Sequence, residues 1–173
     1  MRFVPPDQEE KIMFKKILVP LDGSDLAGKI LPQVEELAKR VKAQVILLAI
    51  GSSDTCADGE TAPETVKEGA ACPELPLARY LQQTTGKLRA QGVEVTWVYQ
   101  KGNPAKEIVA YAAENDIDLI AIASHGGGEI AWLLGSVAQK VITHAPGSVL
   151  IWRVTETKPP ELKSEMYYSL QTP

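Results

Sequence analysis

Residues 119–146 read LIAIASHGGGEIAWLLGSVAQKVITHAP: an apolar run, a glycine-rich stretch and a run of helical spacing in direct succession. Leu119 through Ala123 has strand length and no polar face, which suits a strand buried on both sides. Ser124, His125, Gly126, Gly127 and Gly128 follow it. Gly135 and Ser136 then stand just before Val137, Val141 and Ile142, which mark a helix. Consecutive glycines let main-chain N–H groups converge on an anion with no Cβ in the way. A helix start behind them adds unpaired N–H groups and a favourable dipole, and the Ser136 hydroxyl would reach the same oxygens. The stretch predicts a phosphate-facing loop between a strand and a helix, with no evident catalytic base.

The alternation extends back along the chain. Residues 14–21 read as a strand that runs into Asp22, Gly23 and Ser24, and Ser24 is a suitable N-cap. Leu26, Ile30, Val34, Leu37 and Val41 then recur at helical spacing, with Pro32 expected to interrupt the helix one turn in. Residues 45–50 are a second apolar run. Residues 51–76 carry Gly, Ser, Thr, Asp, Glu and Pro without apolar period and predict a long surface loop or lid. Leu77, Leu81, Thr84 and Leu88 restore a helix that ends near Gly92. Val93, Val95, Trp97 and Tyr99 alternate as a strand with one less buried face. Asn103 as N-cap and Pro104 at the first helical position open another helix, with Ile108, Val109, Ala112 and Ala113 inward. Residues 148–154 close the set as a fifth strand.

Strands separated by helices predict an α/β fold, one doubly wound five-stranded parallel sheet with helices on both faces. In such sheets ligands lie at the carboxyl ends of strands, where strand order reverses. No Gly-x-x-x-x-Gly-Lys-Ser/Thr is present, and no Gly-x-Gly-x-x-Gly follows the first strand, so neither a Walker loop nor a Rossmann dinucleotide site is supported. A receiver domain would need an Asp closing the third strand, where Gln100 and Lys101 stand.

Residues 15–25 (KKILVPLDGSD), residues 45–50, Gly102-Asn103-Pro104 and residues 124–146, in this order and spacing, resemble the universal stress protein family. The resemblance runs from about residue 13 to residue 154. It implies the sheet order 3-2-1-4-5, with the reversal between the strands that end in Asp22 and Ser124. It also implies an adenine nucleotide, ATP or AMP, alone or with Mg2+ or Mn2+. Pro20, Asp22, Ile50, Ala123, Ser124, His125, Gly126, Gly135, Ser136 and Val137 would be the nucleotide-binding residues. Asp22 would lie by the ribose or, through the nucleotide, a metal; Ile50 would back the adenine; and Gly126, Gly135, Ser136 and Val137 would face the phosphates. The family signature is Gly-x-x-Gly, nine residues, then Gly-Ser/Thr. Here Ala123 takes the first glycine position, and eight residues separate Gly126 from Gly135, so Gly127 and Gly128 would absorb the difference. The resemblance further implies a homodimer through the last strand at Val149, Leu150, Ile151 and Trp152, where an unpaired apolar edge would otherwise invite aggregation.

Plainer readings stand beside these. Asp22 would equally begin a turn with Gly23, His125 would be a solvated loop residue, Trp132 would pack, and His144 would sit favourably at a helix C-terminus. The net charge of -4 removes the default reason to expect nucleic acid. No apolar run approaches the roughly 18 residues that span a bilayer, so no membrane is expected. The leading residues, with Pro5, Pro6, Asp7, Glu9 and Glu10, do not read as a secretory signal. Cys56 and Cys72 read as reduced thiols, with a disulfide across their loop as the alternative. The expectation is a cytoplasmic, non-enzymatic regulator, at most a weak ATPase. It would have an N-terminal extension over 1–13, the domain over 14–154 and a tail over 155–173. The alternatives are a dimeric interaction protein that has lost the nucleotide and a slow ATPase.

Overall fold

The computed structural model describes residues 14–51, 65–68, 75–124 and 134–153. Its elements are β1 (Lys16–Pro20), α1 (Asp25–Gly28), α2 (Leu31–Val41), β2 (Gln44–Gly51), β3 (Thr65–Lys67), α3 (Pro76–Ala90), β4 (Val95–Lys101), α4 (Pro104–Glu114), β5 (Leu119–Ala123), α5 (Ser136–His144) and β6 (Ser148–Trp152). They form one sheet in the order β3-β4-β2-β1-β5-β6. Five strands are parallel and take the expected doubly wound order, with β1 paired to β2 on one side and to β5 on the other.

The sixth strand corrects the reading of residues 51–76 as loop throughout. Thr65–Lys67 lies antiparallel on β4, with Val66 opposite Tyr99. Three residues are too few to show a period, but their pattern is that of a strand: Val66 is 1% exposed, while Thr65 and Lys67 face outward. Arg89, near the end of α3, holds this short strand in place. Its guanidinium donates to both carboxylate oxygens of Glu68, at 2.6 and 2.7 Å, and to the Val95 carbonyl, at 3.1 and 2.7 Å.

Side-chain alternation divides the interior into two cores. Ile17, Val19, Val45 and Leu47 meet α1, α2 and α3 through Ala27, Ile30, Val34, Ala38, Ala78, Leu81 and Leu88. Leu18, Ile46, Leu48, Ile120 and Ile122 meet α4 and α5 through Ile108, Ala112, Ala138 and Val141. Pro32 marks a real break: α1 ends at Gly28, and α2 starts with the proline in its first two positions, where its missing N–H is not needed. The expected inner face of α4 needs adjustment, since Ala105, Ile108 and Ala112 are buried while Ala113 is exposed. Trp97 and Tyr99 are buried, not half-covered, because α3 and β3 close over that side of β4.

The Glu68–Arg89 pair is partly exposed, so its own contribution is small. Arg89→Ala should lower global stability by about 1 kcal/mol or less in denaturant titration. It should also speed amide exchange along β4 at the edge facing β3, with β1 unaffected. Unchanged exchange along β4 would show that β3 is held by Val66 alone.

Candidate functional site

The helices that follow β1 and β5 pack on opposite faces of the sheet, which opens a groove at the carboxyl ends of the central strands. A cavity of about 370 Å³ occupies it. Pro20, Leu21 and Asp22 come from the end of β1, Leu48 and Ile50 from β2, and Ile122, Ala123 and Ser124 from β5. Pro104 and Ile108 of α4, Ala27 of α1, and Gly135, Ser136, Val137 and Ala138 at the start of α5 complete the wall. The base of the groove is apolar, and its polar groups gather at the two rims that carry Asp22 and Ser136.

The α5 rim is built for an acceptor. Gly135 is the N-cap and has no side chain to bond the first turn, so the amides of Ser136, Val137 and Ala138 have no cap within the helix. The Gly135 N–H donates to the Ser124 carbonyl at 2.9 Å, and the Ser124 N–H donates to the Trp152 carbonyl at 2.8 Å. These two bonds tie the helix start to the ends of β5 and β6.

The opposite rim is a constrained turn. One oxygen of the Asp22 carboxylate accepts from the Ser24 N–H at 2.9 Å and from its hydroxyl at 2.6 Å. The Ser24 oxygen in turn accepts from the Ala27 N–H at 3.1 Å, capping α1 as expected. Asp22 therefore does begin a turn, and it also lines the cavity; the two readings describe one residue. Helix α3 supports this turn from behind. A Cβ on Gly23, whose φ is +80°, would come within 2.8 Å of Leu77 Cδ2, and one on Gly28 within 3.2 Å of the Tyr80 hydroxyl. Burial raises the Tyr80 pKa above 10.0, partly offset by a hydrogen bond with Thr84, and the charges of Asp22 and Asp25 raise it further.

Eight of the ten residues expected at the site line this cavity: Pro20, Asp22, Ile50, Ala123, Ser124, Gly135, Ser136 and Val137. His125 and Gly126 lie outside the described residues, as do Gly127, Gly128, Trp132, Cys56, Cys72, the leading 13 residues and residues 154–173. Sequence reasoning missed Leu21, Ala27, Leu48, Pro104, Ile108, Ile122 and Ala138 as wall residues, because each carries a core or capping signal that explains it. His144 sits in the last turn of α5, its Nδ1 2.9 Å from the Lys140 carbonyl, where the plainer reading put it. Among the described residues no three His, Cys, Asp or Glu side chains gather as a metal site. No helix among them is long and apolar enough to cross a membrane.

The comparison with known proteins agrees with this architecture. A model of the universal stress protein family matches residues 13–153. The chain belongs to the universal stress protein family. Universal stress protein YxiE of Bacillus subtilis is 31% identical over 156 residues, spanning 82% of this chain and 100% of that one. A universal stress protein of Archaeoglobus fulgidus, solved in complex with dAMP, superposes with a TM-score of 0.56 at 25% identity, over 80% of this chain and 98% of that one. Another member, solved in complex with cAMP, gives 0.62 at 22% identity, over 82% and 98%.

Raised tyrosine values set a pH dependence. Tyr80 beside the Asp22 turn and Tyr111 on α4 both hold their protons more tightly when folded, through burial first. Their contribution is complete below the unfolded value and is lost as pH rises through the folded one. Thermal midpoints should therefore fall above about pH 10, and Tyr80→Phe should flatten that fall. An unchanged alkaline slope in the variant would remove Tyr80 as its source.

Proposed function

We propose that this universal stress protein is a cytoplasmic regulator that binds an adenine nucleotide, AMP or ATP, in the cleft between β1 and β5 and acts as a homodimer. The observation that carries the reading is the cavity itself. It joins an apolar floor, a carboxylate rim and a bare helix start within one volume of about 370 Å³, the lower range of small-molecule sites. The base would lie against Ile50, Leu48, Pro104 and Ile108. The phosphates would take the amides at the start of α5 and the Ser136 hydroxyl, with the helix dipole in favour. Asp22 would bond the ribose. Mg2+ or Mn2+ would join only through the nucleotide, since Mg2+ commonly takes one carboxylate, phosphate oxygens and water. The dAMP held by the Archaeoglobus fulgidus relative supports the class of ligand.

The response is a conformational or partner-binding change with at most weak ATP hydrolysis. Asp22 is the one titratable side chain on the described cavity wall, and no base and nucleophile pair stands beside it. The competing reading, an interaction protein without nucleotide, draws on Ala123, a lining residue that stands at the family's first glycine position.

The dimer reading rests on the outer edge of the sheet. β6 pairs only with β5 among the described residues. Ile151 and Trp152 on it are 38% and 36% exposed, and Ile142 on α5 is 40% exposed. An apolar edge strand of this kind is stable in solution when it is covered. A two-fold pairing of β6 with its copy would cover it.

Two experiments test these parts separately. Mg·ATP or AMP at about 100 times its dissociation constant should stabilise the protein by roughly 2.7 kcal/mol in thermal melts. Ser136→Glu should remove that shift without lowering the ligand-free midpoint, because an acid in the first turn favours the helix while repelling phosphate. No shift at millimolar nucleotide in the unaltered protein would refute nucleotide binding. Ile151→Glu should halve the mass measured by sedimentation while leaving the circular dichroism spectrum intact, and an unchanged mass would place the dimer elsewhere.

A further inference from the structure

Asp22 is the one charged side chain on the described wall of the cleft, where the other polar side chains are the hydroxyls of Ser124 and Ser136. The lysines nearest to that wall in sequence are Lys29 at the end of α1, Lys101 at the end of β4, Lys106 on α4 and Lys140 on α5. None of them lines the cavity. The sequence of residues 125–133 adds Glu129 and neither lysine nor arginine. Asp25 places a second carboxylate in the first turn of α1. Both acids act on one neighbour: burial raises the Tyr80 pKa first of all, and the charges of Asp22 and Asp25 add to it.

The described wall is therefore negative on balance, and the groups on it that suit an anion are uncharged amides and hydroxyls. A helix start supplies the equivalent of roughly half a positive charge, which goes part of the way toward a monophosphate. A triphosphate brings more negative charge, and no ammonium or guanidinium group on the described wall answers it. Low-dielectric walls concentrate the field of a cleft, so the carboxylate weighs more there than on an open surface. A divalent cation carried on the phosphates cancels much of the added charge before the nucleotide enters.

We propose that Asp22 makes the cleft selective for phosphate charge: it admits the adenine monophosphate and takes the triphosphate only as its divalent-cation complex. The inference rests on the cleft being an adenine-nucleotide site and adds a specificity-determining residue to it. The carboxylate excludes by repulsion, a way of discriminating that attractive contacts alone do not supply.

The test is calorimetric titration of the full chain, at constant ionic strength, with AMP, with ATP in EDTA and with ATP in excess Mg2+. The unaltered protein should bind metal-free ATP at least about tenfold more weakly than AMP, the scale of one like-charge repulsion near a protein surface. Excess Mg2+ should bring ATP to within about threefold of AMP. Asp22→Asn keeps an oxygen that can accept the two bonds from Ser24, and it should narrow the gap between AMP and metal-free ATP to about threefold. Added salt gives a second reading should that variant prove misfolded by circular dichroism, because screening should narrow the gap in the unaltered protein. Metal-free ATP bound as tightly as AMP would overturn the selectivity while leaving the nucleotide site intact. ATP that stays weak in excess Mg2+ would overturn it too, since the obstacle would then be size. A gap that survives Asp22→Asn would overturn the role of Asp22, and one indifferent to salt would overturn charge as its cause. Absence of binding by every one of these nucleotides to the unaltered protein would instead refute the cleft reading, and the inference with it.

Discussion

The double pairing of β1 is the constraint on which the rest of the molecule depends. Ile17, Leu18 and Val19 are 0% exposed, with strands on both edges and helices on both faces. A strand in that position cannot turn back on itself by a hairpin. The helices that follow it pack on one face of the sheet, and α5, which follows β5, packs on the other. The cleft is the geometric residue of that divergence. Its floor is apolar because the strands that form it are buried on both sides. Its rims are polar because that is where each chain first escapes the sheet.

The two rims are held in different ways, and the difference bears on function. The α5 rim is tied to β5 and β6 through backbone bonds at Ser124 and Gly135, so its position follows from the sheet. The Asp22 rim is tied to α3 through close packing of Leu77 on Gly23 and of Tyr80 on Gly28. Gly23 needs its glycine for a positive φ, and a Cβ there would also push the end of Leu77 aside. Helix α3 also carries Arg89, which clasps β3 at its far end. One helix thus touches both the turn that carries Asp22 and the added edge strand.

Most of the sheet was legible because parallel strands buried on both faces leave uninterrupted apolar runs, and residues 45–50 and 119–123 are such runs. The helices were legible from stripes such as Ile30 and Val34 and from caps such as Asn103, whose side chain accepts from the Lys106 N–H at 3.3 Å. Thr65–Lys67 was not legible, since a single buried Val66 carries no period and its anchor, Arg89, lies 21 residues beyond Glu68. At the site, Asp22 and Ser136 stood out because they lie where the strand order reverses, at the end of β1 and at the start of the helix after β5. Pro104 and Ile108 did not, because a proline at a helix start and an isoleucine on a helix face are explained without a ligand.

The short spacer between Gly126 and Gly135 takes on a definite meaning in this frame. A missing residue would matter most if it displaced the start of α5, because one residue turns a helix by about 100°. The Gly135 N–H nevertheless meets the Ser124 carbonyl at 2.9 Å, and Ser136 and Val137 reach the cavity wall. The helix start is therefore seated on β5 by this bond. Its capping points the same way. Ser24 and Asn103 close the first turns of α1 and α4 with side-chain bonds, whereas Gly135 leaves the first turn of α5 open toward the cleft. A serine or aspartate at that position would satisfy those amides from within the chain. Glycine leaves them to whatever enters the cleft, which is the arrangement an anion requires.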